Sequence, residues 1–262
     1  MDFGMPTLIE AANLEECARL CKELGLRFIE LNMNLPQYQL HKIDTEKFLQ
    51  VAKKYGIYYT IHLDENLNVS DFNSYVAQSY TKTVLETIEI AKKLHVPVLN
   101  MHLSKGVYFM LPDRKVYLFS EYKEIYLESI KNFIKVCESA IKDSPIRICL
   151  ENTDGFTDFH LDALELFMKS PAFALTFDIG HDYCIGSRDE SVILRYGKKL
   201  SHMHLHDANK GGKNHLALGT GEIDLPKYIQ LAEMNNCRVV LETKTVDGLK
   251  KSVEWIKKNL KG

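Results

Sequence analysis

Short apolar segments rich in Val, Ile, Phe and Tyr alternate with longer amphipathic segments from one end of the chain to the other. The apolar segments have the length and composition of buried strands, and the segments between them have helical periodicity. The predicted strands cover residues 3–8, 27–31, 57–63, 96–103, 146–151, 173–178, 200–206 and 238–242. A strand that returns through a helix pairs in parallel with a right-handed crossover, so the sequence predicts an α/β chain of repeated βα units.

A helix is predicted after each strand. The first spans residues 13–24, with Asn13 as the N-cap and Gly25 as the residue that ends the helix. The others are predicted at 44–55, 71–94, 116–141, 161–169, 189–197, 224–235 and 246–260. No linker rich in Pro, Gly or Ser interrupts the series, so we expect residues 1–262 to form one domain.

Two folds are compatible with such a series of βα units, an open doubly wound sheet and a closed barrel. An open sheet often carries a glycine-rich phosphate loop after its first strand, whereas this chain has Thr7-Leu8-Ile9-Glu10 there. The length of 262 residues also suits an eight-stranded barrel. We therefore expect a single (β/α)8 barrel.

The composition limits the partners of the chain. The formal charge of −2 offers no general attraction to nucleic acid or anionic lipid. The N-terminal sequence has no secretory pattern, and no stretch of 18 apolar residues occurs. The six cysteines are too sparse for a disulfide scaffold. We expect a soluble cytoplasmic protein with buried free thiols and no membrane partner; the sequence does not indicate an oligomeric state.

Ionisable residues occupy the carboxyl ends of the predicted strands. Barrel strands are buried on both faces, so such groups are costly there unless they are paired or bind a metal. Barrel enzymes build their active sites on this face. The residues at the strand ends are His62, His102, Glu151, Asp178, His202, His204, His206 and Glu242, and His181 and His215 follow in loops. These positions include seven of the ten histidines, which random scatter would rarely produce.

A mixture of imidazoles and carboxylates favours a divalent transition metal over calcium. We expect Zn, Mn or Co, and Mg remains an option. The strongest ligand set is Glu151, Asp178 and Glu242 with one histidine from the seventh strand. His202, His204 and His206 alternate with period two and so face the same way, and spacing alone does not select one of them.

These residues also have structural interpretations. Glu151 or Glu242 could instead form a salt bridge with Arg147 or Lys244 at a solvated strand end. The histidines expected on the surface, in helices or connecting loops, are His41, His95 and His160.

Two glycine-containing segments follow the seventh strand. Residues 210–214 combine two lysines with two glycines, and Gly219-Thr220-Gly221 comes shortly after them. A phosphate or sugar could bind there, or the glycines could only turn the chain toward the next helix.

The segments LENTDG, FDIGHDYCIG, HMHLHD, HLALGTGEID and LETK follow one another in this order. Together they resemble the xylose isomerase-like TIM barrel superfamily, which contains sugar phosphate isomerases, epimerases and endonuclease IV, over essentially the whole chain. In the isomerase and epimerase branch, the positions that hold the single metal match Glu151, Asp178, His204 and Glu242. The resemblance implies that the two glutamates transfer protons on opposite sides of the substrate, and that His181 binds substrate.

The resemblance leads to a primary hypothesis of a metal-dependent sugar or sugar phosphate isomerase or epimerase. A metal bound to a carbonyl and a neighbouring hydroxyl acidifies the C–H between them, and a nearby carboxylate accepts the proton. The expected partner is a small sugar. The candidate substrate-binding residues are His62, His102, His181, His215 and Lys105.

The alternative hypothesis is a zinc phosphodiesterase that cuts DNA at abasic sites. In the endonuclease IV branch, His62, His102, His181 and His215 match ligands of a three-zinc cluster, which makes them second-metal candidates. The family has an aspartate two residues before the last of these histidines, where this chain has Lys213, and a lysine would oppose a third zinc ion. DNA binding also requires cations that the net charge does not indicate. A third interpretation is a barrel that binds a metal or sugar without catalysis.

Overall fold

The computed structural model of the chain describes residues 1–260. Its strands are β1 Asp2–Pro6, β2 Phe28–Asn32, β3 Tyr58–His62, β4 Val98–His102, β5 Tyr108–Met110, β6 Lys115–Tyr117, β7 Arg147–Glu151, β8 Phe173–Asp178, β9 Leu200–Leu205 and β10 Arg238–Leu241. Eight of them close into a parallel barrel in the order β1-β10-β9-β8-β7-β4-β3-β2, and β5 and β6 form a separate antiparallel hairpin. The predicted single (β/α)8 TIM barrel is confirmed.

Helices surround this barrel. They are α1 Leu14–Leu24, α2 Thr45–Tyr55, α3 Ser74–Leu94, α4 Leu118–Glu121, α5 Lys123–Ile141, α6 Asp158–Phe167, α7 Ile179–Cys184, α8 Glu190–Arg195, α9 Leu225–Met234 and α10 Val246–Asn259. As predicted, Asn13 caps α1 by accepting a hydrogen bond from the backbone N–H of Glu16, and Gly25 ends it with φ of 79°. Among residues 1–260, no helix combines the length and apolar character needed to cross a membrane.

The segment after β4 differs from the prediction. Instead of one helix over residues 116–141, the chain forms the β5–β6 hairpin, then α4, and α5 begins only after a break at Tyr122. The run around β6 is too short for its periodicity to distinguish a strand from a helix. The short helix α7, which follows β8 directly, was also not predicted, and the helix predicted at 189–197 is the shorter α8.

The two faces of the barrel strands differ in chemistry. Side chains alternate between the faces of a strand, so one set points into the barrel and the other toward the helices. The inward polar residues are Glu30, Thr60, His62, Asn100, Glu151, Thr176, Asp178, His202 and His204, all of them buried. They lie above a small apolar cluster formed by Val98, Cys149 and Ala174. Outward residues such as Ile29, Leu31 and Phe177 pack in the main hydrophobic core beneath the helices.

The cysteines largely follow the prediction. All six are free thiols; Cys184 is half-buried and the other five are buried. Burial raises the pKa of the Cys17 thiol to about 11 and that of Cys21 to about 12. The thiols therefore pack as small apolar side chains.

His160 is buried, contrary to the surface position expected for it, whereas His41 and His95 are exposed as predicted. Residues 160, 163, 164 and 167 form the buried face of α6, so the histidine occupies a core position of this amphipathic helix. Its Nε2 donates a hydrogen bond to the backbone oxygen of Ser104 at 3.1 Å.

We expect stability to depend on pH through His160. Burial lowers the pKa of this imidazole to about 4, so between pH 6.5 and 4 the unfolded chain binds a proton that the folded protein does not. The contribution of His160 to the free energy of unfolding therefore falls as the pH decreases, by about 2 kcal/mol at pH 5. Between pH 7 and pH 5, urea unfolding should show a loss of stability about 2 kcal/mol larger in the parent than in His160→Gln; equal pH dependence in both proteins would contradict it.

Candidate metal centre

Glu151, Asp178, His204 and Glu242 lie at the carboxyl ends of four neighbouring strands, β7 to β10. The Nδ1 atom of His204 is 3.1 Å from Oε1 of Glu151 and 3.3 Å from Oε2 of Glu242. The same atom is 3.7 Å from Oδ2 of Asp178. The structure therefore brings the four residues of the predicted primary set around one point, and all four side chains are buried.

The charges around this point favour a cation. Burial alone would lower the pKa of His204, but the carboxylates of Glu151, Glu242 and Glu30 raise it well above its usual value. Conversely, burial alone would raise the pKa values of Glu151 and Glu242, but His204 is the main group that holds both well below their usual range. Three carboxylates in one buried site repel one another unless a positive charge lies between them.

One carboxylate oxygen of this candidate site also lacks a hydrogen-bond partner. Oε2 of Glu242 is buried and has no hydrogen-bond partner, while Oε1 of the same carboxylate lies 2.8 Å from Nζ of Lys244. A buried carboxylate oxygen without a donor is costly, and a metal ion satisfies it. Three carboxylates with one imidazole thus fit a divalent metal ion.

The salt bridges proposed as a structural interpretation form only in part. Lys244 does pair with Glu242, through the oxygen that faces away from His204. Arg147 is the first residue of β7 and Glu151 is the last, so these two side chains lie at opposite ends of the strand.

The two oxygens of Glu151 have different surroundings. Oε1 faces His204, whereas Oε2 is 3.0 Å from Nε2 of His102 and 3.4 Å from Nε2 of His62. Asn100 also donates a hydrogen bond to Oε2 from its side-chain amide. Burial alone would lower the pKa of His62, but Glu151 raises it to about 9. Two predicted substrate-binding histidines are therefore in contact with one of the predicted ligands.

Asp178 is oriented by His181 and His206. The backbone N–H of His181 donates to Oδ1 at 2.7 Å, and Nε2 of His206 lies 3.0 Å from Oδ1 and 3.1 Å from Oδ2. Nδ1 of His206 in turn accepts the backbone N–H of His215 at 2.8 Å. Gly180 makes room for this ring, since a Cβ atom at position 180 would lie 1.9 Å from Cε1 of His206. Oδ2 of Asp178 thus contacts His206 and also lies 3.7 Å from Nδ1 of His204.

A polar cavity opens above the candidate metal centre. It has a volume of about 500 Å³, and the five candidate substrate-binding residues His62, His102, Lys105, His181 and His215 all line it together with Glu151 and Glu242. A neighbouring cavity of about 270 Å³ shares part of this wall and adds Asn32 and Asn34 from the end of β2. A larger, mainly apolar groove lies between α3 and α5, away from the cluster.

The segment Gly219-Thr220-Gly221 does not present free glycine amides to a phosphate. The carboxylate of Asp207 accepts hydrogen bonds from the backbone N–H groups of Gly219 and Gly221, both at 2.9 Å. It also accepts from Ala208 and Ile223. The amides of Gly219 and Gly221 are therefore not available to a phosphate, which agrees with the other interpretation, that these glycines turn the chain toward the next helix.

Two residues of the candidate site, Glu30 and Asn100, were not predicted from the sequence. Both lie within apolar strand segments, FIEL in β2 and VLNMH in β4. Each is an isolated polar residue inside a buried strand, and that signal was present in the sequence.

Comparison with known proteins identifies the family. Residues 18–259 match the family model described as xylose isomerase-like TIM barrel. The chain belongs to the xylose isomerase-like TIM barrel family. The match covers most of the chain, as predicted from the sequence segments that lie at the strand ends and follow one another in the family's order. An uncharacterised relative from Methanocaldococcus jannaschii is 22% identical over 258 residues, which cover 95% of this chain and 94% of that protein.

Three solved structures resembling this xylose isomerase-like barrel are a D-tagatose 3-epimerase-like protein, a 3-keto-D-glucoside 4-epimerase from E. coli and an IolI protein with a bound zinc atom. The TM-score of the first is 0.79, with 22% identity and coverage of 98% of this chain and 96% of that one. The E. coli epimerase has a TM-score of 0.78, with 15% identity and coverage of 98% of this chain and 99% of that one. The IolI structure has a TM-score of 0.74, with 17% identity and coverage of 98% of this chain and 96% of that one.

Proposed function

We propose that this protein is a metal-dependent sugar or sugar phosphate isomerase or epimerase that transfers a proton next to a carbonyl. The observation that carries this proposal is the convergence of three buried carboxylates on Nδ1 of His204, at the floor of a polar cavity of about 500 Å³. The similarity of the fold to sugar epimerases supports the same reaction class.

In this proposal Glu151, Asp178, His204 and Glu242 hold one divalent metal ion. Zn, Mn or Co suits this donor set, Mg is an option, and the zinc-containing IolI structure supports a divalent site in this fold. The bound ion would draw electron density from a substrate carbonyl and its neighbouring hydroxyl, which acidifies the C–H between them.

The two glutamates are suited to remove and return the proton. Each directs one oxygen toward Nδ1 of His204 and keeps the other near a different group, Lys244 for Glu242 and His102 for Glu151. They also come from the outer members of the run β7 to β10, so they flank the site from two sides. We propose that one glutamate accepts the proton and the other delivers a proton from the opposite side.

The remaining cavity residues would orient the sugar. Imidazole and ammonium groups of His62, His102, His181, His215 and Lys105 offer hydrogen bonds to hydroxyl or phosphate oxygens. Asp154 already pairs with Lys105, 2.7 Å from its Nζ atom, and holds this ammonium group at the cavity wall.

One observation keeps the endonuclease IV-like phosphodiesterase as a second candidate. His62, His102 and Glu151 face one another beside the proposed centre, an arrangement that could hold another ion. Lys213, in contrast, is exposed in the loop that would supply a ligand for a third ion.

The deciding experiment measures metal per chain and then incubates the metal-loaded protein with a panel of ketoses and sugar phosphates in heavy water. We expect about one ion per chain and deuterium incorporation next to the carbonyl of at least one sugar. A parallel incubation uses an oligonucleotide with an abasic site. Strand scission with about three zinc ions per chain and no deuterium incorporation would overturn the proposal in favour of the phosphodiesterase.

A further inference from the structure

Glu30 lies inside the barrel beneath the proposed metal centre and is not one of the proposed ligands. It is 2% exposed, and its side chain reaches from β2 across the barrel interior to β9. Oε1 lies 2.8 Å from Nε2 of His204, and Oε2 lies 2.8 Å from Nε2 of His202. The hydroxyl of Thr60 donates a third hydrogen bond to this carboxylate at 3.0 Å. Both carboxylate oxygens are therefore engaged.

The contact with Glu30 determines which nitrogen of His204 keeps its proton when a metal ion binds. A neutral imidazole carries one proton, and the ring nitrogen without the proton is the one that can bind a metal. An ionised carboxylate only accepts hydrogen bonds, so the contact with Glu30 requires the proton on Nε2 of His204. Nδ1 is then the nitrogen whose proton a metal ion would displace, and it is the atom that the carboxylates of Glu151, Asp178 and Glu242 surround.

The carboxylate of Glu30 is itself held in place. Thr60 precedes His62 on β3, and His202 precedes His204 on β9, so the donors to Glu30 come from the strands that also carry site histidines. Two strands, β1 and β10, separate β2 from β9 in the barrel. The hydrogen bond between His204 and Glu30 therefore crosses the barrel interior and does not join neighbouring strands.

We propose that Glu30 is a positioning residue that holds His204 in the Nε2–H tautomer and directs Nδ1 at the metal. This inference rests on the proposed metal centre and adds a residue that acts through His204 without touching substrate. Loss of a partner of this kind weakens metal binding by about 10- to 100-fold.

The test measures zinc affinity by competition with a chromophoric chelator, for the parent protein and for Glu30→Leu. Leucine has a similar volume and no acceptor, so we expect zinc to bind about 10- to 100-fold more weakly. The matched control is Thr87→Val, which also replaces a buried polar side chain by an apolar one, but on α3. We expect this control to bind zinc as the parent does. A zinc affinity of Glu30→Leu within about twofold of the parent overturns the proposal.

A second measurement needs no variant. Nitrogen-15 NMR of the zinc-loaded parent reports which nitrogen of each histidine carries a proton. We expect a protonated Nε2 and a metal-bound Nδ1 for His204. The opposite assignment overturns the positioning role of Glu30, even if Glu30→Leu does not fold.

These measurements also separate this proposal from the proposed reaction. If the parent binds zinc and Glu30→Leu binds it tenfold more weakly, the positioning role is supported even where no sugar is turned over, and only the reaction fails. If sugar turnover is present and zinc affinity does not depend on Glu30, only the positioning role fails. A parent that binds no divalent metal overturns both.

Discussion

Replacing Glu151 or Glu242 by glutamine is expected to reduce deuterium exchange next to the substrate carbonyl by about 10³-fold or more. Glutamine has nearly the same shape, but its amide neither accepts nor delivers the proton. The measurement is the exchange rate at saturating metal and saturating sugar. Under these conditions, weaker metal binding by the variant does not contribute to the loss.

The matched control is Glu138→Gln, the same replacement on the exposed side of α5, which should leave the exchange rate unchanged. Circular dichroism and metal content should confirm that both site variants are folded and loaded. If either site variant retains more than about a tenth of the parent rate, its glutamate does not transfer the proton in the limiting step.

Replacing Gly180 by alanine is expected to lower the free energy of unfolding by about 4 kcal/mol. The added methyl group would lie 1.9 Å from Cε1 of His206, whose side chain is fully buried and cannot move into solvent. Displacing this ring also removes a hydrogen bond to Asp178 and the acceptor for the N–H of His215. We therefore expect metal affinity to fall together with stability, both measurable by thermal unfolding with and without zinc.

The control is Gly197→Ala. Gly197 has no neighbour within 4 Å of the position of a Cβ atom, and its φ is not positive. Because alanine restricts the unfolded chain more than glycine does, this variant should be neutral or more stable by up to about 1 kcal/mol. Similar stabilities of the two alanine variants would show that His206 does not require the missing side chain at position 180.

The barrel could be predicted because the sequence patterns that indicate its strands and helices are local and recur in every βα unit. Each strand is a short apolar run and most helices have a clear apolar stripe, so errors in one unit do not affect the others. The hairpin after β4 is different: Tyr108, Phe109 and Met110 are apolar yet exposed, and burial patterns do not identify such a segment.

The candidate site could be predicted to the level of strand ends but not of atoms. Parallel strands place their carboxyl ends at one rim, so Glu151, Asp178 and Glu242 were expected to lie together. The distinct contacts of the two nitrogens of His204 depend on Glu30, which is 174 positions away in the sequence. No local pattern encodes such a contact, and periodicity treats His202, His204 and His206 as equivalent.

The four side chains Glu151, Asp178, His204 and Glu242 are synthesised in the order of the strands that carry them. Glu242 follows β10, and the barrel closes only when β10 pairs with β1. A partly synthesised polypeptide that ends before β10 lacks one of the carboxylates and still has two unpaired strand edges. Ion capture would therefore come late, after the ring of strands is complete, and would selectively stabilise finished molecules over truncated ones.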